Sequence, residues 1–320
     1  LKPFGLSLVP QTQSSSGQRG FLSPSTLGWA AMSWSALATD EDKREHFDSE
    51  RELDAKVKRM ADSLRKARHA IIFTGAGIST SAGIPDFRSG VNTVLPTGAG
   101  VWERKAQEES GGPKAPRLDL DEMLKAEPTF THRAIQKLME LGIIKYCISQ
   151  NVDGMHRRSG IPADKIAELH GNLSLEACTQ CGKEYLRNFR VGPNRGMNHM
   201  TGRHCGECGG ALREFLVPFG EQLPEHAINA AHLHSDLADF CLAMGSSLTV
   251  TPACDYPRWV GEKAGQRRYW SADTVSPGEL YIVNLQATPL DECATMCLHG
   301  MCDVVMQKLM AELGVELCPV

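Results

Sequence analysis

The chain has 320 residues, of which 42% are apolar and 22% are charged, and its formal net charge is −4. This composition is typical of a globular protein with one large domain or two smaller ones, and it argues against a strongly basic surface for nucleic acid. No apolar run approaches the roughly eighteen residues that a membrane-spanning helix requires. The eleven cysteines form no evenly spaced disulfide framework, and two C-x-x-C pairs among them favour metal binding in a reducing compartment.

The first 39 residues contain no acidic side chain and are rich in Ser, Gly and Pro. Two interpretations remain open for them. A transit peptide is typically Ser-rich and acid-poor, although Lys2 and Arg19 are few charges for that role. A disordered leader, or sequence upstream of a start at Met32, is the interpretation that we favour. We predict a disordered or targeting segment over residues 1–45 and a folded domain over residues 46–318.

From Ser49 onward the sequence alternates between helical and strand patterns. Ser49 and Glu52 form a predicted capping box, and the apolar residues of an amphipathic helix follow at Leu53, Val57, Ala61 and Leu64. Four short apolar runs then lead into small or amide-bearing residues: Ala70–Phe73, Tyr146–Ser149, Phe240–Met244 and Leu280–Val283. Further helices are predicted over about 128–141 and 227–237 and before a stop at Gly314.

Strands that alternate with helices predict an α/β fold with a doubly wound, Rossmann-like parallel sheet. In such sheets ligands bind outside the carboxyl ends of the strands, and small residues there suit a phosphate-rich ligand. The alternation stops between Asn172 and Phe219. We therefore predict a small zinc-ribbon module over residues 172–218, inserted in the nucleotide-binding domain.

Both C-x-x-C pairs lie in this module, at Cys178, Cys181, Cys205 and Cys208. Four thiolates on two such knuckles present the tetrahedral ligand set that zinc prefers. Four cysteine ligands leave no open coordination position for water or substrate. We expect one structural Zn²⁺ rather than a catalytic metal.

Three further patterns carry candidate chemistry. The turn Gly75-Ala76-Gly77 follows a strand and would let backbone amides approach a pyrophosphate, although Thr80 replaces the third glycine of the dinucleotide fingerprint. Beside it, Arg88 can meet phosphate and Asp86 can accept from an amide. His170 follows a short apolar run and directly precedes the zinc module, and an imidazole titrates near neutral pH, as a general base must.

Taken together, these motifs resemble the sirtuin family. They are Gly75-Ala-Gly-Ile-Ser79, Gly83-Ile-Pro-Asp-Phe-Arg88, Gln150-Asn-Val-Asp153, Leu169-His-Gly171, the two cysteine pairs, Gly245-Ser-Ser247 and Val283-Asn-Leu285, in the family's order. The resemblance covers roughly residues 53–317. Finer detail, such as Thr201-Gly-Arg203 and Ile282-Val-Asn-Leu-Gln286, resembles the class IV branch, and the nuclear and nucleolar members most of all.

The resemblance implies an NAD-dependent protein-lysine deacylase that transfers the acyl group to ADP-ribose and releases nicotinamide. It implies that His170 is the general base and that Asn151 helps to seat the nicotinamide end. The implied NAD-binding residues are Gly75, Ala76, Gly77, Ser79, Asp86, Phe87, Arg88, Gln150, Asn151, Asp153, Gly245, Ser246, Ser247, Asn284, Leu285 and Cys302. The implied substrate-pairing residues are Val217, Phe219 and Gly220.

Two features depart from the family's pattern. Ser89 replaces a glycine after Arg88, and the insertion Gly90–Ala99 precedes Gly100-Val-Trp102 in the loop that closes over the cofactor. We expect this insertion to affect NAD affinity and rate. Pro218 lies in the substrate-pairing segment, where it must occupy a position that needs no amide donor.

Three functions are compatible with these motifs. Lysine deacylation is the leading hypothesis, mono-ADP-ribosyl transfer uses the same site with a different acceptor, and a non-catalytic NAD- or acyl-lysine-binding chromatin module would not require His170. The resemblance implies an acyl-lysine protein substrate, histones among the candidates, with chromatin reached through the substrate and no membrane partner. It favours a nuclear location, while the acid-poor leader keeps an organelle open. The acyl-chain preference and the oligomeric state do not follow from the sequence.

Overall fold

The strand and helix patterns fold as two sheets in the computed structural model, which describes residues 39, 41–112, 120–192, 198–218, 220–263 and 278–317. In chain order the strands are β1 (Ala70–Thr74), β2 (Ile144–Ser149), β3 (Ile166–Glu168), β4 (Leu175–Cys178), β5 (Glu184–Leu186), β6 (Met200–His204), β7 (Ala211–Glu214), β8 (Phe240–Met244), β9 (Glu279–Val283) and β10 (Met296–Leu298). The helices are α1 (Glu50–Lys66), α2 (Val101–Glu109), α3 (Leu120–Lys125), α4 (Phe130–Glu140), α5 (Met155–Arg158), α6 (Glu225–Leu237), α7 (Asp255–Lys263) and α8 (Cys302–Leu313).

The large sheet has the strand order β10-β9-β8-β1-β2-β3, and every neighbouring pair in it is parallel. The chain runs outward from β1 to one edge and then from β8 to the other. The boundary between β1 and β8 is therefore the point at which the strand order reverses, where ligands bind in sheets of this class. The predicted Rossmann-like fold is confirmed.

Alternate residues of the central strands enter two different cores. Ile72 and Leu242 pack on one face of the sheet with α1, α4 and α8, whereas Phe73 and Ala243 pack on the other with α6 and α7. Burial on both faces explains why these strands read as continuous apolar runs rather than as alternating patterns. Among the described residues, no helix is long and apolar enough to cross a membrane.

Helix α1 begins with the predicted capping box. Ser49 Oγ accepts from the Glu52 amide and the Glu52 carboxylate accepts from the Ser49 amide at 3.0 Å. The predicted apolar face of α1 is buried, together with Met60. At the other end of the chain, α8 stops at Gly314, which adopts the left-handed conformation with φ 69° that a helix C-terminus favours.

The second sheet is antiparallel, has the order β5-β4-β7-β6, and lies within the predicted zinc module. Glu176 of β4 is fully buried and is held by two guanidinium groups, with Arg187 Nε and Arg203 Nε each 2.8 Å from its carboxylate oxygens. A buried carboxylate requires such partners. This ion triad ties three segments of the module together.

Part of the segment predicted to precede the fold contacts it. Lys43 Nζ lies 3.1 Å from Glu103 Oε1 at the start of α2, and the His46 amide donates to the Leu285 carbonyl at 2.8 Å. Residues 41–48 therefore lie along the fold, on the side where β9 ends. Residues 1–38 and 40 lie outside the described residues.

Candidate active site

Four polar turns meet at the carboxyl end of the large sheet. Thr74 is in register with Ser149 of β2 and with Met244 of β8, and Met244 is in register with Val283 of β9. The residues that follow these strand ends are Gly75, Gln150, Gly245 and Asn284. The parallel sheet thus gathers into one edge four sequence motifs that are separated by up to about two hundred residues, as the sequence predicts.

The glycines of the first and third turns allow these turns to pack against each other. A Cβ on Gly75 would lie 2.6 Å from the Gly245 carbonyl oxygen, and a Cβ on Gly77 would lie 2.7 Å from Gly245 Cα. Gly77 N donates to the Gly245 carbonyl at 2.8 Å, and Gly245 itself has φ 61°. The glycines therefore serve close backbone packing between the turns. The turn continues into short 3-10 helices at Ala76–Ile78 and Thr80–Ala82 rather than into an α-helix.

A cleft opens beside these turns. Its lining residues are Gly77, Thr80, Asp86, Ser89, Leu95, Gly245, Asn284, Leu285, Gln286, Gly300, Met301 and Cys302. Six of the predicted cofactor residues are among them. Sequence reasoning missed Thr80, Leu95, Gly300 and Met301 as lining residues, and it used Gln286 only as a mark of the family branch.

Asp86 lines this cleft, and Arg88 follows it in the same loop. The Asp86 carboxylate accepts from the Arg88 and Ser89 amides, at 3.0 and 2.8 Å from Oδ1, and from the Ser89 hydroxyl. Arg88 Nη1 lies 3.2 Å from Ser247 Oγ, which links the loop to the turn after β8. Burial lowers the pKa of the Arg88 guanidinium, and the Asp86 charge opposes that shift. Ser89, which the sequence marks as a departure from the resembled pattern, is thus a structural partner of Asp86.

Phe87 is partly exposed, with its ring centroid 6.0 Å from that of Trp102. Gly100 precedes Trp102 and approaches the same loop, because a Cβ there would lie 2.3 Å from the Arg88 amide nitrogen. Gly100 N also donates to the Ser89 carbonyl at 2.7 Å. The predicted insertion is therefore a loop that is closed at its base.

The second turn places two buried polar side chains against the first. Asn151 Nδ2 donates to the Gly75 carbonyl at 3.1 Å, and Asp153 Oδ2 accepts from Ser79 Oγ at 2.7 Å. Gln150 reaches the third turn, where its Oε1 accepts from Ser246 Oγ at 2.8 Å. These bonds join three of the four turns into one polar network, in which every buried side chain named here has a partner.

His170 follows β3 and faces the Gln150 turn. Its Nδ1 lies 2.9 Å from the Gln150 carbonyl oxygen. A carbonyl can only accept, so Nδ1 carries the proton and Nε2 has a free lone pair. Burial lowers the pKa of His170, while the Gln150 carbonyl works in the opposite direction. The neutral imidazole therefore presents Nε2 as a proton acceptor at neutral pH.

The segment that follows the zinc module returns beside His170. Val217 N donates to the His170 carbonyl at 3.0 Å, and a Cβ on Gly171 would lie 1.6 Å from the Phe215 carbonyl oxygen. Gly220 has φ 86° and is exposed, whereas Phe219 lies outside the described residues. Two of the three predicted substrate-pairing residues, Val217 and Gly220, thus lie on the segment that follows the zinc module and returns beside His170. Pro218 has no amide to donate, and its carbonyl accepts from the amide of Glu221.

The four predicted zinc ligands form one cluster, in which all four Sγ atoms lie within 4.8 Å of one another. The Cys178 and Cys208 sulfurs are 3.3 Å apart and the Cys181 and Cys205 sulfurs are 3.7 Å apart, distances that exclude disulfides. Four sulfur ligands that surround one point suit a structural Zn²⁺. Gly210 permits this approach, because a Cβ there would lie 2.7 Å from Cys178 Sγ.

A protein-family model described as "Sir2 family" matches residues 75–252, which is more than half of the chain. This match spans the first turn, the predicted base, the cysteine cluster and the turn after β8. The chain belongs to the Sir2 family.

Within this family the chain is 43% identical over 284 residues to the NAD-dependent protein deacetylase sirtuin-7 of Mus musculus, and 39% identical over 277 residues to the NAD-dependent protein deacetylase SRT1 of Arabidopsis thaliana. Each alignment covers 86% of this chain, but the chain spans only 64% and 53% of these relatives. Both relatives are class IV sirtuins, and the predicted branch is confirmed.

A solved Sir2 variant with deacetylated p53 peptide and 3'-O-acetyl ADP ribose is 31% identical, with a TM-score of 0.57. The match covers 81% of this chain and 99% of that chain. The likeness therefore extends across nearly the whole length of a solved Sir2 chain.

Sequence reasoning missed two buried histidines beneath the Sir2 turns. His132 Nδ1 lies 2.7 Å from Thr129 Oγ1, and that hydroxyl donates to the Ile78 carbonyl, so Nδ1 is the donor to Thr129. His156 Nε2 lies 2.8 Å from Thr74 Oγ1, and the two imidazole rings are 4.8 Å apart. Neither ring is more than 2% exposed. In the sequence, His132 looks like an ordinary member of the helix predicted over about 128–141, and His156 lies just beyond the Gln150-Asn-Val-Asp153 motif with no pattern of its own.

Burial lowers the pKa of His132 and of His156 to about 3. The unfolded chain binds both protons near pH 6.5, so stability is lost as pH falls below 6.5 and the loss continues toward pH 3. We expect the pair to lower the free energy of unfolding by about 4 kcal/mol between pH 7 and pH 5. Urea unfolding at pH 7, 6 and 5 measures this loss.

The matched control is the double variant His132→Asn, His156→Gln, in which each amide can replace the ring nitrogen that is bonded. Comparison with this variant cancels the contribution of Glu168, whose pKa burial raises to about 7 and which acts in the opposite direction. The variant should lose much less stability over this range. Parallel curves for the two proteins would contradict the assignment.

Proposed function

We propose that this chain is an NAD-dependent protein-lysine deacylase that acts on acetyl-lysine and releases nicotinamide. The overall conversion is acyl-lysine, NAD⁺ and water to free lysine, acyl-ADP-ribose and nicotinamide. NAD supplies the electrophilic ribose carbon that the acyl oxygen attacks. The single observation that carries the proposal is the His170 imidazole, held as a neutral base at the edge where the four turns meet.

The residues at that edge are proposed to bind different parts of NAD. The cleft beside Gly77, Gly245 and Asn284 is the proposed site of the adenosine and phosphate part of NAD. Arg88, which bonds to Ser247 in the turn after β8, is proposed to supply positive charge to a phosphate of NAD. The buried carboxamide of Asn151 marks the proposed nicotinamide end.

His170 is proposed to accept a proton from a ribose hydroxyl through Nε2. The Gln150 carbonyl orients the imidazole, and the Gln150 side chain accepts a hydrogen bond from Ser246 in the turn after β8. Phe87 can cover the reactive sugar face and keep water away from it. The substrate backbone is proposed to pair with the segment from Val217 to Gly220. The first residue of this segment, Val217, donates its amide to the His170 carbonyl.

The proposal is tested by mass spectrometry of the purified chain with NAD and an acetyl-lysine histone peptide. We expect acetyl-ADP-ribose to appear together with a peptide that is lighter by one acetyl group. A peptide that gains ADP-ribose instead would favour the transferase alternative. Bound NAD without either product, with longer acyl peptides also tried, would favour a non-catalytic binding module.

Histone substrates and a nuclear location are proposed on family resemblance. The solved Sir2 complex contains a p53 peptide, so peptides of both origins belong in the same assay. A clear preference for the histone peptide would support the histone proposal. Cell fractionation tests the location, and recovery in an organelle would revive the targeting interpretation of the leader.

A further inference from the structure

The inserted loop and the segment that precedes α1 meet at one carboxylate. Glu45 Oε2 accepts from the Val94 amide at 3.0 Å, and Glu45 Oε1 accepts from the Thr93 hydroxyl. The same Oε1 lies 3.5 Å from Gln286 Nε2. One side chain therefore contacts the middle of the loop and also Gln286, which lines the cleft.

Both contacts lead directly to lining residues. Leu95 lines the cleft and is nearly buried, and its amide donates to the same Thr93 hydroxyl oxygen at 3.1 Å. Gln286 also lines the cleft, and its carbonyl accepts from Asn284 Nδ2 at 2.9 Å. The backbone next to Glu45 is held in turn, because the His46 amide donates to the Leu285 carbonyl.

We infer that Glu45 is a positioning residue that holds the inserted loop 90–99 against the cofactor cleft and so sets the affinity for NAD. The loop is closed at its base by Gly100 and Ser89, but its middle is held from outside, by a carboxylate that reaches it from the segment before α1. Hydrogen bonds that a carboxylate accepts are charge-assisted, and they are stronger than bonds between neutral groups. Without them Leu95 loses its anchor and the loop must be ordered when the cofactor binds, which costs affinity.

The inference rests on the proposed function, because it takes the cleft to be the NAD site. The test is calorimetric titration of NAD and of ADP-ribose into the wild-type chain, Glu45→Ala and Glu41→Ala. Glu41 is the matched control, since it lies in the same segment and its exposed carboxylate pairs with the exposed Arg44. We expect Glu45→Ala to bind both ligands about tenfold more weakly, which corresponds to about 1.4 kcal/mol, and Glu41→Ala to match the wild type.

A general loss of structure would give a different result. The expected signature is a raised KM for NAD with an unchanged KM for the acyl peptide and an unchanged zinc content. Thr93→Val removes one of the two loop bonds without shortening the side chain and provides a second measurement if Glu45→Ala does not fold. It should weaken NAD binding in the same direction.

The outcomes separate the two proposals. A wild-type chain that binds neither NAD nor ADP-ribose overturns the proposed function and the inference with it. A wild-type chain that binds both, beside Glu45→Ala and Thr93→Val variants with unchanged affinity, overturns the inference alone. An equal rise of the KM for NAD and the KM for the peptide in Glu45→Ala would also overturn the inference. A residue that anchors the cofactor loop should raise the KM for NAD alone.

Discussion

His170→Ala is expected to lower the rate of deacylation by about a hundred- to ten-thousand-fold while NAD still binds. The reason is the free lone pair on Nε2, which is the proton acceptor that the reaction requires and which alanine cannot replace. The cleft residues do not depend on this side chain, so binding of NAD should be unchanged. Deacylation is followed by mass spectrometry, and NAD binding by calorimetry.

A surface histidine provides the control for this substitution. His232 is exposed on α6, contacts Trp259 and belongs to none of the four turns, so His232→Ala should retain full activity. Retention of full activity by His170→Ala would exclude it as the base. Loss of both activity and NAD binding would show that the substitution disturbs the fold instead.

The pH dependence supplies a second readout for the same residue. A general base works in its neutral form, which is present above its pKa. Because burial lowers the pKa of His170, activity should persist as pH falls through 6.5 and be lost only below it. An acid limb of kcat/KM that lies above pH 6.5 would be inconsistent with this base.

Cys205→Ser is expected to abolish zinc binding and to unfold the module that carries the antiparallel sheet. The four sulfurs lie within one coordination sphere, and binding of structural zinc contributes a free energy on the order of 10 kcal/mol to the folding of small zinc modules. The sheet has only four short strands, and the small apolar cluster beside it consists of Cys178, Cys205 and Leu212 with Tyr185. Zinc content by atomic absorption and thermal unfolding measure the two effects.

Cys293→Ser is the matched control for this substitution. Cys293 is a free thiol outside the cluster that donates to the Leu290 carbonyl, a bond that a serine hydroxyl can keep. It should retain zinc and the thermal midpoint of the wild type. A Cys205→Ser protein with full zinc content would contradict the assignment of Cys205 as a ligand, and a chelator that leaves the wild-type midpoint unchanged would contradict the structural role.

Local patterns were sufficient for most of the fold. The capping box at Ser49 predicts the start of α1, and the apolar runs predict the four central strands because each must be buried on both sides. The parallel order follows from the alternation of strands with helices. The cysteine spacing predicts the cluster, because each C-x-x-C pair brings its two thiols together through a local turn.

Long-range pairings account for what the sequence did not reveal. Nothing near Glu45 in the sequence indicates that its carboxylate meets Thr93, because that contact depends on where the loop and the segment before α1 come together. The partner of His156, which lies on α5, is likewise Thr74 at the end of β1, a residue distant in sequence. Ser89 was predicted only as a departure, and its bond to Asp86 became visible once the turn was formed.

The zinc module leaves the large domain just after His170 and returns at Val217, where the two chain segments are joined by a backbone hydrogen bond. Because the two ends of the inserted zinc module already touch, the module does not change how β3 connects to β8, whatever its length. Lengthening such a module adds little to the entropy of closing it, since that entropy grows only logarithmically with length. The junction is therefore a natural graft point, at which modules of different size can be exchanged while the order of the six strands is preserved.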